Sequence, residues 1–498
     1  MANTLVRRPF IIAAICVGIL FFLWHGIVRK TLASHSDIFP EVTEDHQGGV
    51  NASRPISSTP PPHPVPVVCP TPPPPTPPSL PPPSPYDPVK YLRGTPTPHL
   101  KDNLRPDVEY ITTWIAGGFT NDVMSLANML YVAIHSGRVP IMPEFSGYPP
   151  SDTGIWAGYI PFGEVFDIPQ LSAALGIPIL EWNQVKDYTG EIGPVESDLL
   201  GCWSLWAPYA GDKTPRGNFF TGAGRASINL AFTTIMEPVK LMGMNEPYEP
   251  HVNLNKLVML GDREVYDELM KTHQPEAFPP WHPSVSPPDF QLMCFDFLYW
   301  ASVVRPSEWG LKLSAGWRIA RHFKWASKPQ SLGEEYARRL LSVAPTDPIP
   351  PFVTVHIRRR DFGGWCDGQS LEDCFASLDT YAVRVREVQA ELQARPEFAE
   401  RGPFKVIVTS DEIDPEWWAQ VRQRGWLFVD HTPAGENTEA KHGVWFSALI
   451  DMVIPSLGMG YVGTDASTMS LLARRRVEEW NRGVTRMVKW GKPGADDH

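Results

Sequence analysis

At 498 residues the chain exceeds one ordinary domain and points to two, since domains commonly run to about 100–200 residues. A formal charge of −11 excludes the basic electrostatic footprint of a nucleic-acid-binding protein. The 54 prolines are the other compositional signal, and 18 of them fall within residues 55–88.

Residues 10–28 read FIIAAICVGILFFLWHGIV and carry no formal charge. A helix crossing ~30 Å of hydrocarbon needs about 20 apolar residues. The core of a cleavable signal peptide is shorter, about 7–15 residues. Thr31-Leu32-Ala33 resembles a weak cleavage site, but length favours a retained anchor. Arg7 and Arg8 nearly balance Arg29 and Lys30, and beyond them the chain turns acidic at Asp37, Glu41, Glu44 and Asp45. The expected layout is a cytoplasmic tail over 1–9, a signal anchor over 10–28 and a lumenal remainder: a single-pass type II membrane protein. Residues 29–105 are expected to form a disordered stalk. Its stretch 55–88 is dominated by proline and favours extended polyproline II, ~3.1 Å per residue. Asn51-Ala52-Ser53 is a glycosylation sequon suited to a lumenal stalk.

Folded sequence is expected over 106–345 and 346–490, with a flexible tail over 491–498. The β-branched and aromatic run 110–116 predicts a buried strand, 121–136 an amphipathic helix, and 139–142 a second strand. Such a unit joins parallel strands by a right-handed crossover. Residues 149–306, rich in Trp, Pro and Gly, are expected to hold helices and long loops. Beyond them, strands are predicted over 352–357, 404–409, 426–429 and 459–463. Helical patterns lie at 371–392, 415–424, 439–454 and 467–480. Short apolar runs alternating with helices indicate doubly wound parallel sheets, hence an α/β chain of two Rossmann-like domains. Ligands in such folds sit at the carboxyl ends of strands, often between domains.

Three loops fall there. Gly117-Gly118-Phe119-Thr120-Asn121 joins a strand to a helix, and its glycines allow close backbone approach at a helix N-terminus that favours anions. His356-Ile357-Arg358-Arg359-Arg360-Asp361-Phe362 follows the 352–357 strand. Its guanidinium groups suit paired phosphate oxygens, and alternation should put Arg358 and Arg360 on one side and Arg359 on the other. In Gly463-Thr464-Asp465-Ala466-Ser467-Thr468, Ser467 or Thr468 can cap the last helix beside free N–H groups. The bland readings are a packing turn, a salt-bridged surface turn and an ordinary cap. Asp411, Glu412 and Asp451 are nearby carboxylates.

The sequence holds no phosphate loop of the G-x-x-x-x-G-K-[ST] type, no H-E-x-x-H and no G-x-S-x-G. The folded region has no D-x-D metal motif, so arginine and helix dipoles would have to neutralise a diphosphate. Cys202, Cys294, Cys366 and Cys374 can form two bridges in an oxidising lumen, with Cys366 and Cys374 the nearest local pair.

Taken together, GGFTNDVMSLANMLYVA from Gly117, HIRRRDF from His356, VTSDE from Val408 and GTDASTMSLLARRRVEEWN from Gly463 resemble the GDP-fucose protein O-fucosyltransferase family and its fucosyltransferase relatives. The resemblance implies a GT-B-like fold, two Rossmann-like domains facing across a cleft, the second holding the nucleotide sugar. It implies an inverting, metal-independent transfer of fucose from GDP-fucose to a hydroxyl of a protein or glycan, at a Golgi or endoplasmic reticulum membrane. By position, Arg358 matches the arginine that grips the donor β-phosphate and Asn121 an asparagine beside sugar and acceptor. Gly117, Gly118, Phe119, His356, Asp361, Ser467 and Thr468 match donor-site positions, and Asp451 a guanine-reading acid. Some members place a glutamate in the first glycine loop as general base, and Gly117 stands there in this chain. That leaves departing phosphate or an unassigned carboxylate to accept the proton. The alternatives are another nucleotide sugar on the same fold, or a catalytically silent, membrane-tethered glycan-binding protein.

Overall fold

The computed structural model describes residues 87–497 except 116, 147–156, 188–197, 207–221, 237–238, 240–251, 276, 279–285 and 304–314. The anchor at 10–28 and the Asn51 sequon therefore lie outside the described residues. Among the described residues no helix is long and apolar enough to cross a membrane. The chain divides into two units, Met1–Pro83 and Ser84–His498, and every described residue belongs to the second.

The boundary of the stalk shifts. Residues 87–105 pack as part of the fold, because Leu92, Leu100 and Leu104 bury their side chains, each worth about 1.5–3 kcal/mol when fully buried. Asn103 secures them by donating to the carbonyls of Gln184 and Val185 at 3.1 and 3.0 Å.

Strand β1 (Tyr110–Thr113) is buried along its whole length, as a strand covered on both faces must be. Helix α1 (Phe119–Ser136) comes next and ends at Gly137, whose φ of 69° suits a residue without Cβ. The chain returns as β2 (Val139–Met142), paired parallel to β1. The middle of the chain, expected as helices and loops, also supplies β3 (Leu180–Glu181), β4 (Asp198–Ser204), β5 (Ile228–Thr234), β6 (Ala277–Phe278) and β7 (Leu292–Phe295). These complete a sheet of order β3-β2-β1-β7-β4-β5-β6, parallel except at β6. Their ladders are satisfied far along the sequence, which hides them from local pattern.

Helix α2 (Ser327–Leu341) leads to the second sheet, formed by β8 (Val353–Ile357), β9 (Val406–Ser410), β10 (Gly460–Thr464) and β11 (Val484–Val488). Its order is β9-β8-β10-β11, all parallel. The connecting helices are α3 (Leu378–Gln393), α4 (Pro415–Gln423), α5 (Trp445–Leu457) and α6 (Thr468–Trp480). The strand predicted over 426–429 shrinks to one bridge, Leu427 to Ile407. Gly333 of α2 faces Val453 of α5 so closely that a Cβ would collide with it. One apolar core runs from Ile111 and Leu126 to Ile407 and Val453, joining elements of both sheets.

Among the described residues two disulfides brace the fold. Cys202–Cys294 ties β4 to its neighbour β7, and Cys366–Cys374 closes the turn beyond β8. At the C-terminus, where a flexible tail was expected, Asp496 is buried. Its carboxylate accepts from Arg384 Nε at 2.7 Å and from the Lys489 N–H at 3.0 Å.

Candidate active site

In the second sheet the chain leaves β8 for β9 on one side and later crosses to β10 on the other. In open α/β sheets such a reversal marks the ligand crevice, which places it here at the carboxyl ends of β8 and β10. Thr464, the last residue of β10, knits its two walls. Its hydroxyl accepts the Arg358 N–H at 2.9 Å, reaches the His356 carbonyl at 3.2 Å and lies 2.7 Å from the Tyr381 hydroxyl.

His356 sits beneath this floor, 2% exposed. Its Nδ1 is 2.7 Å from Ser470 Oγ, which also accepts the Thr464 N–H at 3.1 Å. Burial, reinforced by the Arg358 charge, pushes its pKa down to about 3. The imidazole is therefore a neutral brace between β8 and α6.

Arg358 reaches Asp411 at 3.0 Å and Asp361 at 2.8 Å, and its side chain remains 27% exposed. Asp411 also accepts the Arg359 N–H at 2.8 Å. Burial raises the Asp411 pKa, against the pull of the Arg358 guanidinium and that N–H. Arg359 pairs with Glu412 and lies 4.7 Å over the Phe375 ring. The alternation expected through Arg360 ends at Arg359, whose φ of −135° and ψ of −84° turn the chain into a tight helical segment, Arg360–Trp365. Arg360 itself is exposed.

The late loop behaves as a helix start. Ala466 adopts a φ of 62°, and Ser467 accepts the Ser470 N–H at 3.3 Å as the cap of α6. Thr468 Oγ1 lies 2.7 Å from Thr120 Oγ1, which brings the N-terminus of α1 to that of α6. Helix α1 starts from Gly118 with no side-chain cap. Asp122, 1% exposed, turns back to accept the Gly117 N–H at 2.8 Å. A Cβ at Gly117 would stand 3.0 Å from the Phe297 ring and 3.1 Å from Asp122 Oδ1, so a side chain there would press on both. Asn121 Oδ1 is buried without a hydrogen-bond partner, while Phe119 packs among Phe145, Phe166 and Trp445.

Contacts therefore connect Arg358 to the β10 end and the start of α6 to the start of α1. Asp451 belongs to a separate contact set: its carboxylate is 3.0 Å from His431 Nε2, and His431 Nδ1 is 2.8 Å from Thr438 Oγ1. Thr464, Tyr381 and Thr120 were not singled out from the sequence, because their partners are distant in it. Asp296 was also missed. Fully buried after β7, it gathers Ser204 Oγ–H at 2.6 Å and the N–H groups of Phe297, Leu205 and Trp206 at 2.7, 2.8 and 3.3 Å. Burial still pushes its pKa up to about 6. Among the described residues no group of three or more His, Cys, Asp and Glu side chains gathers in a metal-binding arrangement.

No family model matches the sequence, and no curated protein matches it. Solved structures do match. POFUT1 in complex with GDP-fucose is 13% identical, with 78% of this chain and 99% of that one covered at a TM-score of 0.45. The α-1,6-fucosyltransferase NodZ soaked with GDP-fucose is 15% identical over 74% and 93%, with a TM-score of 0.34. Fucosyltransferase NodZ from Bradyrhizobium is 16% identical over the same shares, with a TM-score of 0.33.

Proposed function

We propose that the chain is a glycosyltransferase that moves fucose from GDP-fucose to a hydroxyl of a protein or glycan acceptor. One observation carries the reading. Arg358 stands at the crevice between β8 and β10, where the start of α6 adds Ser467, Thr468 and backbone N–H groups. That combination suits a diphosphate. The choice of guanosine and fucose comes from the motif resemblance, as does the GT-B-like pairing of two domains divided near residue 345.

Arg358 is held by a partly buried carboxylate, Asp411, and an exposed one, Asp361. An incoming β-phosphate can replace Asp361 while Asp411 keeps the guanidinium aimed. The acceptor oxygen attacks the anomeric carbon as the bond from that carbon to the phosphate oxygen breaks. The sugar carbon inverts, and the acceptor proton passes to the departing phosphate. Arg358 and the start of α6 stabilise the growing negative charge, so the proposal requires no metal. Asp122 is assigned to loop support, since its buried carboxylate is committed to the Gly117 N–H.

Membrane tethering by residues 10–28, in the Golgi or endoplasmic reticulum, completes the proposal. The two disulfides support an oxidising compartment.

The test is release of GDP by the purified chain from a panel of sugar nucleotides, with acceptor extract and with or without chelator. Turnover of GDP-fucose unaffected by chelator is expected. Turnover of a different sugar nucleotide replaces the donor, a requirement for added manganese removes the metal-free step, and GDP binding without turnover indicates a silent glycan-binding protein.

A further inference from the structure

Two turns flank the proposed donor crevice, the arginine turn after β8 and the hydroxyl turn after β10, and a residue outside both motifs joins them. Trp490 Nε1–H donates to the Asp465 carbonyl at 2.9 Å, while the Asp465 N–H donates to the Val488 carbonyl at 2.9 Å. Asp465 is thus gripped on both sides just before Ala466 takes its left-handed conformation and Ser467 caps α6.

The other side of Trp490 meets the arginine turn. Its ring stacks on Phe362 at 4.9 Å between centroids and lies 5.9 Å from Phe375. Phe362 in turn carries the Arg358 guanidinium at 5.7 Å, and Phe375 carries that of Arg359 at 4.7 Å. Trp365 adds a third ring, 4.4 Å from Phe362. The segment bearing Trp490 is itself fastened: the Gly491 N–H donates to the Cys374 carbonyl at 2.7 Å, and Asp496 is held by Arg384.

We propose that Trp490 is a positioning residue for donor binding. It locks the arginine turn to the hydroxyl turn, so that Arg358 and the start of α6 keep the spacing a diphosphate requires. This role rests on the crevice being the donor site.

The test compares the full-length chain with Trp490→Ala and Trp490→Phe. GDP affinity is measured by calorimetry, donor and acceptor KM in turnover, and folding by circular dichroism. Trp490→Ala is expected to weaken GDP binding about tenfold and raise donor KM to match, with acceptor KM within about twofold, from loss of one hydrogen bond and one aromatic stack. Trp490→Phe keeps a ring but lacks the N–H, and an intermediate loss of about two- to fourfold is expected. Folded Trp490→Ala with unchanged GDP affinity overturns the proposal, as does an equal rise in donor and acceptor KM. Where the alanine variant does not fold, unchanged GDP affinity in Trp490→Phe overturns it. No GDP affinity in the wild-type chain is a different result: it removes the donor reading, and this inference with it.

Discussion

The seven-stranded and four-stranded sheets bring different chemistry to the carboxyl ends of their parallel strands. In the second, charge is presented: Arg358 stays partly open, backed by Asp411 and Asp361, and Thr464 ties the strand ends beneath it. In the first, charge is turned inward. Asp122 and Asp296 are buried, and both accept backbone N–H groups at the edge of the Gly117 loop and of Phe297. One sheet therefore supplies electrostatics, while the other supplies a shaped backbone. A buried carboxylate is expensive unless donors surround it, so its presence marks a loop whose conformation matters.

The disulfides offer the largest way to separate the two halves. Cys202–Cys294 spans 92 positions and Cys366–Cys374 only 8. On the loop-entropy account, replacing the first pair by serine costs about 4–5 kcal/mol of stability, and replacing the second about 2–3 kcal/mol. Urea unfolding measures both. GDP affinity should move the other way, falling with Cys366→Ser/Cys374→Ser and holding in the folded fraction of Cys202→Ser/Cys294→Ser. The same loss of affinity in both would erase the distinction between the sheets.

A pH series tests the floor of the crevice. Histidine titrates near 6.5 when unfolded, whereas buried His356 stays neutral down to about 3. Between those values the unfolded chain binds the extra proton. The stability contributed by neutral His356 is therefore complete above pH 6.5 and is lost as pH falls toward 3. Relative to His356→Gln, the wild-type chain should lose about 2 kcal/mol between pH 6.5 and 4.5 in denaturant titrations. A flat difference would mean that the imidazole is accessible.

The smallest effect is expected at Asp122→Asn. An amide oxygen can still accept the Gly117 N–H, so turnover should stay within about tenfold of wild type. A loss of several orders of magnitude would instead make this carboxylate the proton acceptor.

Much of the second sheet was legible because its strands are continuous apolar runs separated by helices of ordinary length. β8, β9 and β10 all fall within two residues of their sequence-based bounds. β11 escaped, since its VTRMV pattern is short and partly polar. In the first sheet, β2 was read to its end residues, but β4, β5 and β7 were hidden among Trp, Pro and Gly. The motif residues Arg358, Ser467 and Thr468 were visible by spacing after a strand or before a helix. The contacts that hold these loops were not: Thr120 and Thr468 are 348 positions apart, Tyr381 and Thr464 83, and Trp490 and Asp465 25. Such pairings are made by the fold, and no local period encodes them.

The central claim is that the crevice between β8 and β10 binds a nucleoside diphosphate through Arg358. Calorimetric titration of GDP into the purified full-length chain and into Arg358→Ala tests it most directly. The account predicts measurable binding by the wild type and a loss of about a hundredfold in the variant, the scale of a lost charge-assisted contact. Equal affinity in the two proteins would contradict it.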